Sequence, residues 1–493
     1  MSGRLWLKPS LADCALAALF LWLIVLSVSS ETGLLQDANT GYHIRTGDYI
    51  REHRTVPSRD IFSFTKPGEP WFAWEWLAAL LMSWLHSQAG MRGLILLSAA
   101  AICVTNLVCL RHMLWRGANA LIAIAVLHLL IASSSIHYLA RPHLFSLLFF
   151  AIGFFLLDRD RAKPARAIWW VVPLTALWAN LHGAFLGMVA SLVIVAAGSA
   201  LEKNWTAARR YGLLSLASLA ASGLNPYGFR EHLHAITFLR QKWVLELVQE
   251  YGSPKFHSLE GRYFEVMLIS GIGLAVSLLA RKQIASALLV LAWAHLSLTS
   301  VRHIPIYAMV AAPLLAGEAT RLWDRWIAAA RPGPASLAGI LASLAKDHTP
   351  HLRRVSAWAI LPLVLFALTD AGLAWPTDFP EPRYPANLAN RHADLLSGAR
   401  LFTTDSWADY LNYRFYPKQR IFVDGRCDFF GQQMSEQYLG LLNGHFGWDR
   451  AIQQWDLRVA LIPSQSGLAS LLRRETNWKL IEDTGHAALF VRQ

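Results

Sequence analysis

The sequence predicts an α-helical polytopic membrane protein of about eleven crossings, closed by a small C-terminal α/β domain outside the membrane. Three observations predict it. Of 493 residues, 54% are apolar and only 16% charged, a composition suited to lipid rather than to water. Apolar runs of spanning length recur from residue 14 to residue 375. Basic residues gather in alternate connectors between those runs, as the positive-inside bias requires.

The first run, Cys14 to Ser30, follows Arg4 and Lys8. Alone it would also fit a cleaved signal peptide, but the many spans behind it favour a retained anchor. Further spans are expected at 93–110, 119–134, 144–157, 167–180, 184–200, 211–224, 263–280, 283–299, 303–317 and 355–375. Between Ala167 and Ala200 the apolar stretch is too long for one span, and Pro173 with the NLHG break at Asn180 to Gly183 marks a tight hairpin. The run from Trp74 to Leu85 is too short to cross and rich in Trp, so an interfacial helix is expected there.

That reading makes 1–11, 111–118, 158–166, 201–210, 281–282 and 318–354 cytoplasmic, with 19 Lys and Arg, against two, Arg141 and Arg302, in the short outer connectors. The longer outer loops, 31–92 and 224–262, carry eleven more, so the bias is real without being absolute. An odd number of crossings puts the N-terminus in the cytoplasm and the tail outside. The net charge of +12 is therefore topological, and nothing in the chain reads as a nucleic-acid surface. Four cysteines, three inside apolar runs, offer neither a disulfide framework nor a metal quartet.

Beyond PTDFPEPRYP, the tail from 376 to 493 changes character. Leu401–Thr404 and RIFVDGR are expected as strands, and WADYLNYRF as a helix capped by Asp405 or Ser406. Helices are expected at QQMSEQYLGLLNG and GLASLLRRE, an extended VALIPS, and a closing hairpin in WKLIEDTGHAALFVR. No nucleotide, hydrolase or metalloprotease motif is present, and Val423–Arg426 reads better as a turn ending a strand than as a catalytic motif. The tail is thus expected to fold alone and to shape an acceptor entrance without performing chemistry.

Polar groups beside spans are costly and point to function. Here they fall on the outer side: His137, then Arg141 and His143 in ARPH, Asn180 and His182 in NLHG, Asn225 and Tyr227 in LNPYG, and Arg302 with His303. The cytoplasmic connectors hold generic basic residues plus His112, His348 and His351. One cationic cavity at the outer leaflet is expected, facing a loop that carries Asp37, His43, Trp74 and Glu75. Each has a plainer reading: Asp37 as a loop acid or helix cap, the arginines as snorkelling side chains, the histidines as satisfied interfacial groups, the tryptophans as an interface belt.

In order along the chain come Asp37; Tyr42, His43 and Gly47; Val56 and Pro57; the D-x-F-S-F-T run Asp60 to Thr65; PWxxxEWL from Pro70 to Leu77; then ARPH, NLHG, LNPYG, RHIP and FVDGR. In these residues, over essentially its whole length, the chain resembles the GT-C superfamily of membrane glycosyltransferases. Its nearest look is to the bacterial branch related to protein mannosyltransferases and the aminoarabinose transferase of lipid A. The resemblance implies a GT-C-like catalytic domain over 1–375, with 31–92 as first extracytoplasmic loop, in a bacterial inner membrane. It also implies transfer of a sugar from a polyprenyl-phosphate donor to an acceptor hydroxyl, most simply with inversion, for a cell-envelope glycan, lipid or protein.

On that basis Asp37 is the expected base and Arg141, Arg302 and His303 the donor-phosphate contacts. His43, Trp74, Glu75, His143, Asn180, His182, Asn225 and Tyr227 are candidates for sugar or acceptor binding. Ala38 follows Asp37 where several relatives have a second acid, and Arg141 and His143 stand where metal-dependent members place carboxylates. A cationic phosphate pocket is therefore favoured over a tightly held divalent ion, which stays the lesser alternative, and no cofactor is required. Two other readings remain. A transporter or flippase of an anionic lipid-linked substrate lacks its usual internal repeat here, and an inactive scaffold subunit is suggested only by the missing second acid.

Overall fold

Helices occupy every one of the apolar runs. The computed structural model describes residues 8–29, 33–241, 243–244, 248–354, 356–381 and 383–493. Among them, five helices are long and apolar enough to cross a membrane: Leu11–Ser29, Trp76–Trp115, Ala120–His137, Gly183–Leu201 and Leu259–Ala280. Shorter apolar helices run over Ile284–Thr299 and Trp358–Leu368. The chain is built as an integral membrane protein. Three boundaries depart from expectation. The helix from Ile304 continues to Ala330, a further helix Leu337–Leu352 fills the connector behind it, and the last apolar helix stops at Leu368 rather than near Trp375. The last stop has a local cause: Thr369 turns extended, and Ala371 and Gly372 take positive φ.

The run expected at Trp74–Leu85 is helical from Trp76. Within Trp76–Trp115, Gly90 adopts φ 58° and ψ −150°, a conformation that breaks α-helical bonding and favours glycine. Residues 76–89 are thereby separated from the span expected at 93–110.

By its contacts the chain divides into two units. The first takes residues up to Leu23, Leu96–Tyr138 and His143–Ala371. In it the helix Leu186–Leu201 packs on Trp205–Ala221 and Ile284–Thr299, and Ala120–Ser134 on Leu259–Ala280 and Ile304–Ala330. Tyr307 and Trp178 are fully buried; the Tyr307 hydroxyl donates to the Met267 carbonyl at 3.1 Å and Trp178 Nε1 to Ser146 Oγ at 2.6 Å. Val266, Ile269, Val276, Leu213 and Leu216 remain more than half exposed, as lipid-facing residues should be.

Some basic residues of the connectors are held in ion pairs. Asp158 is buried against His112 at 2.6 Å and against Arg116. Asp160 meets Arg210 at 2.8 Å, and Glu318 meets Arg281 at 2.7 Å as well as Arg321. Apart from Glu318–Arg321, which lies within one helix, each pair ties two helices together.

The second unit takes Ile24–Ile95, Leu139–Pro142 and Gly372–Gln493. Its sheet is ordered β1-β2-β4-β3, with β1 Leu401–Thr403, β2 Val459–Pro463, β3 Trp478–Asp483 and β4 Ala487–Arg492. β1 and β2 are parallel; β4 pairs antiparallel with β2 and with β3, the expected hairpin. Helices Cys427–Leu442 and Gly467–Leu472 lie where expected, and Trp448–Gln454 adds an unforeseen one. The helix Asp405–Phe415 is capped by Thr404, whose side chain accepts from Trp407 N at 3.2 Å, one residue before the expected caps.

RIFVDGR is not a strand of this sheet. Ile421 instead exchanges backbone bonds with the first loop, donating to Phe62 O at 3.1 Å and accepting from Phe64 N at 3.0 Å. Phe62, fully buried, packs edge-on against Tyr416 at 5.0 Å and Trp71 at 6.0 Å. The helix Asn39–His53 lies on Asp405–Phe415, with Arg45 Nε donating to Tyr413 O at 2.6 Å. The tail therefore packs in one unit with the loop that the sequence reading placed in the membrane domain.

Candidate functional site

Asp37 precedes the helix Asn39–His53, whose N-cap position is Ala38, a residue with no capping side chain. Asp37 supplies the cap from one position earlier: its Oδ1 accepts from Asn39 N at 2.9 Å, a local bond typical of aspartate in turns. Two bonds bring the ARPH segment alongside. Thr40 Oγ1 donates to Ala140 O, and Ala140 N to Leu34 O, each at 2.8 Å. Arg141 Nη1 then meets Asp37 Oδ2 at 2.9 Å, with both side chains partly exposed. The acid and one arginine singled out in the sequence, 104 residues apart, are thus a contact pair.

The same unit holds a buried charge network that sequence reasoning missed. Arg426 faces Asp424 through Nε at 2.8 Å and Nη2 at 2.8 Å. Its Nη1 stands 2.8 Å from Asp60 Oδ1, close as an ion pair although not aligned as a hydrogen bond. Its guanidinium lies 4.6 Å from the Trp71 ring centroid and 5.0 Å from that of Phe429. Burial works against the charge, but Asp424 and Asp60 outweigh it and raise the guanidinium above its ordinary value. Between the two charged residues, Gly425 is required by close approach: a Cβ there would stand 2.7 Å from Asp409 Oδ2. Asp409 is itself buried, and burial first, then Asp424, Asp37 and Asp405, push its carboxyl well above the usual range. VDGR bends at Gly425 with Asp424 and Arg426 buried, and no strand leads into it.

His43 and Glu75 come together, Nε2 to Oε2 at 3.4 Å, with His43 buried and Glu75 a quarter exposed. The His43 ring lies 4.2 Å from Tyr42, and Trp74 5.0 Å from Phe72. Of these candidates, Glu75 and Trp74 are the more open ones.

The remaining candidates belong to the helical unit. Arg302 bonds Glu250 Oε2 through Nε at 2.9 Å and also bonds the Tyr251 hydroxyl, its guanidinium 4.4 Å over that ring. Neither partner was foreseen. His303 Nδ1 is bonded to Leu296 O at 3.1 Å. His143 Nε2 lies 2.6 Å from His137 O, and its ring 6.4 Å from that of His182. His182 Nδ1 faces both Ala184 N at 3.2 Å and Ser146 Oγ at 2.8 Å. Since the amide can only donate, Nδ1 is an acceptor, and a neutral His182 carries its hydrogen on Nε2. Asn180 bonds the carbonyls of Ala176 and Leu224, and Asn225 those of Ser222 and Gly228 while accepting from Tyr227 N. These two asparagines hold turns.

The Arg141 guanidinium stands 2.9 Å from the Asp37 carboxylate, and among the described residues no three His, Cys, Asp or Glu side chains converge on a point that could hold a metal.

The fold is that of a known membrane enzyme. The chain is similar to the archaeal oligosaccharyltransferase AglB from Archaeoglobus fulgidus, solved with an inhibitory peptide and a dolichol-phosphate. That match has a TM-score of 0.56 and 11% identity, and covers 98% of this chain and 74% of that one. A second structure of the Archaeoglobus fulgidus oligosaccharyltransferase, in complex with zinc and sulfate, matches with TM-score 0.53 and 12% identity, over 92% of this chain and 68% of that one. No protein-family model matches the sequence, and no curated protein matches it.

Proposed function

We propose that the protein is a membrane glycosyltransferase that moves a sugar from a polyprenyl-phosphate-type donor to an acceptor hydroxyl at the outer face of a bacterial inner membrane. The observation that carries this reading is the Asp37–Arg141 contact, a base and a phosphate-binding group side by side in a fold that AglB also has. AglB was solved with a dolichol-phosphate, a lipid of the proposed donor chemistry.

Asp37 takes the proton of the acceptor hydroxyl as its oxygen attacks the anomeric carbon. The bond from that carbon to the phosphate oxygen breaks, its electrons stay on the phosphate, and Arg141 stabilises the charge that develops there. A single displacement inverts the anomeric configuration. Because an arginine fork suits phosphate oxygens, an arriving donor competes with Asp37 for Arg141 and so frees the carboxylate to act. Glu75, Trp74 and His43 are the proposed sugar or acceptor contacts in the same unit. Arg302 and His303 are assigned to donor binding on residue type, with Glu250 to be displaced from Arg302 first. His143 and the Nε2 side of His182 are lesser candidates. Incubating the purified full-length protein with radiolabelled polyprenyl-phosphate hexoses and pentoses, in the presence of envelope extract, tests the reading. Release of free polyprenyl phosphate supports it, and intact donors across the panel count against it.

Arg141→Lys should raise the donor KM about tenfold, because lysine keeps the charge but loses the fork, and a charge-assisted bond contributes about 1.5–3 kcal/mol. Arg302→Lys should act less, since Glu250 already engages that guanidinium. Donor titrations at saturating acceptor read both, and unchanged donor kinetics in the two variants would place the phosphate elsewhere.

The proposed topology has eleven crossings, a cytoplasmic N-terminus and an external C-terminus. Reporter fusions after Arg166 and Arg210 should then report cytoplasm, and fusions after Glu260 and Arg400 the outside. An external signal after Arg166 would overturn it.

A further inference from the structure

We propose that Tyr384, a residue of the C-terminal segment, is the positioning residue for Asp37, an inference that rests on the role given to Asp37 above. The Tyr384 hydroxyl accepts from Ala38 N at 2.7 Å and donates to Gln36 O at 2.9 Å. A phenol has one hydrogen to give and two lone pairs. One oxygen therefore ties both residues that flank Asp37, from a position 346 residues further along the chain. With the peptide on each side fixed, the Asp37 carboxylate can reach only the directions its own side-chain torsions allow.

The helix start makes this tie necessary. Ala38 is fully buried and offers no capping side chain, and amides at a helix start have no partner within the helix. Asp37 Oδ1 takes the amide of Asn39, and Tyr384 takes that of Ala38. Without the hydroxyl, the Ala38 amide would have to turn toward another acceptor, and the Asp37 backbone would turn with it.

The seat of Tyr384 is rigid. The residue is 2% exposed, its ring stacked on Tyr410 at 5.9 Å and edge-on to Phe379 at 5.5 Å. Tyr384 N donates to Pro380 O at 3.1 Å, and the preceding carbonyl, Arg383 O, accepts from Trp407 Nε1 at 3.0 Å. Burial, and next the Asp37 charge, raise the phenol well above its ordinary value, so it keeps its hydrogen at any working pH. The C-terminal segment thereby governs the reaction without contributing a reacting atom.

Tyr384→Phe in the full-length protein tests this, since it removes one oxygen and leaves the ring packing. Using the polyprenyl-phosphate sugar that turns over in the donor panel, kcat should fall about 10- to 100-fold, the cost of misplacing a reacting group by about an ångström. Donor KM should stay within about threefold, because Arg141 is unchanged. In an Asp37→Asn background the same substitution should cost almost nothing further, as expected when one residue acts through the other. Hydrogen exchange of the peptide spanning residues 34–41 should quicken. Tyr438→Phe is the control: its hydroxyl likewise makes two hydrogen bonds, accepting from Asp405 N at 3.1 Å and donating to Asp405 Oδ1 at 3.2 Å, away from residues 36–38, and its loss should leave kcat unaltered. Slow Asp37→Asn with normal Tyr384→Phe overturns this inference alone. Normal turnover by Asp37→Asn removes the role of Asp37 and this inference with it. A kcat loss that adds fully to that of Asp37→Asn, or a Tyr384→Phe protein without a melting transition, assigns Tyr384 to folding and equally overturns it.

Discussion

Asp37→Asn should lower sugar transfer by about 10² to 10⁴-fold, the usual range for a positioned general base, while leaving the protein folded. The amide keeps the shape and one oxygen, so the cap on Asn39 N survives. What it loses is the ability to accept a proton. The ion pair with Arg141 is lost too, but both side chains are partly open to solvent, and such pairs contribute about 1 kcal/mol or less. Stability and rate should therefore separate: the melting temperature moves little while release of polyprenyl phosphate nearly stops. With Arg141 no longer engaged by a carboxylate, donor KM should hold or improve, which distinguishes loss of a base from loss of a binding group. Near-wild-type turnover would remove Asp37 from the mechanism.

What could be read from the sequence was what local pattern encodes. Apolar runs mark helices because each helix satisfies its own backbone, and the closing hairpin announced itself by alternation around ThrGlyHis484–486. Residue type alone brought Asp37 and Arg141 forward, because an acid and an arginine beside spans are costly enough to need a reason. Their pairing was not legible, since it depends on the backbone of residues 34 and 140 meeting. The same cause hid Glu250 from Arg302: an arginine in a sequence looks available, and its partner lies 52 residues away. Tyr384 gave no signal at all, because a tyrosine in a Pro-rich linker is unremarkable until its hydroxyl is seen on residues 36 and 38. RIFVDGR misled for a physical reason as well. Its composition suits a strand, but only Ile421 pairs, in an isolated bridge, and its partner is the first loop rather than the sheet.

Arg426→Met should be the most damaging single substitution for stability, costing about 3–5 kcal/mol, the price of leaving a buried charge without its partner. Asp424 and Asp60 are both buried and both face this guanidinium, so its removal strands two carboxylates in an apolar box of Phe62, Trp71 and Phe429. They come from opposite ends of the chain, and their repulsion would force apart the first loop and the C-terminal segment. Unfolding should therefore be seen in both at once: cleavage near Lys66 and loss of protection in residues 421–442 should appear together in limited proteolysis and hydrogen exchange. Neutralising the whole network should rescue it. A triple variant Asp60→Asn, Asp424→Asn, Arg426→Met leaves no unpaired charge, and replacing a buried ionic cluster outright is often neutral, so it should recover most of the lost melting temperature. If Arg426→Met melts like the wild type, the network does not hold the loop to the tail. If the triple variant is no better than the single, the loss comes from the packing of Arg426 against Trp71 and Phe429 rather than from stranded charge. Because Asp424 also presses on Asp409 through charge, and Gly425 packs against both Asp409 and Asn39, the same variant should slow transfer even below its melting point, by loosening the start of the helix that Asp37 caps.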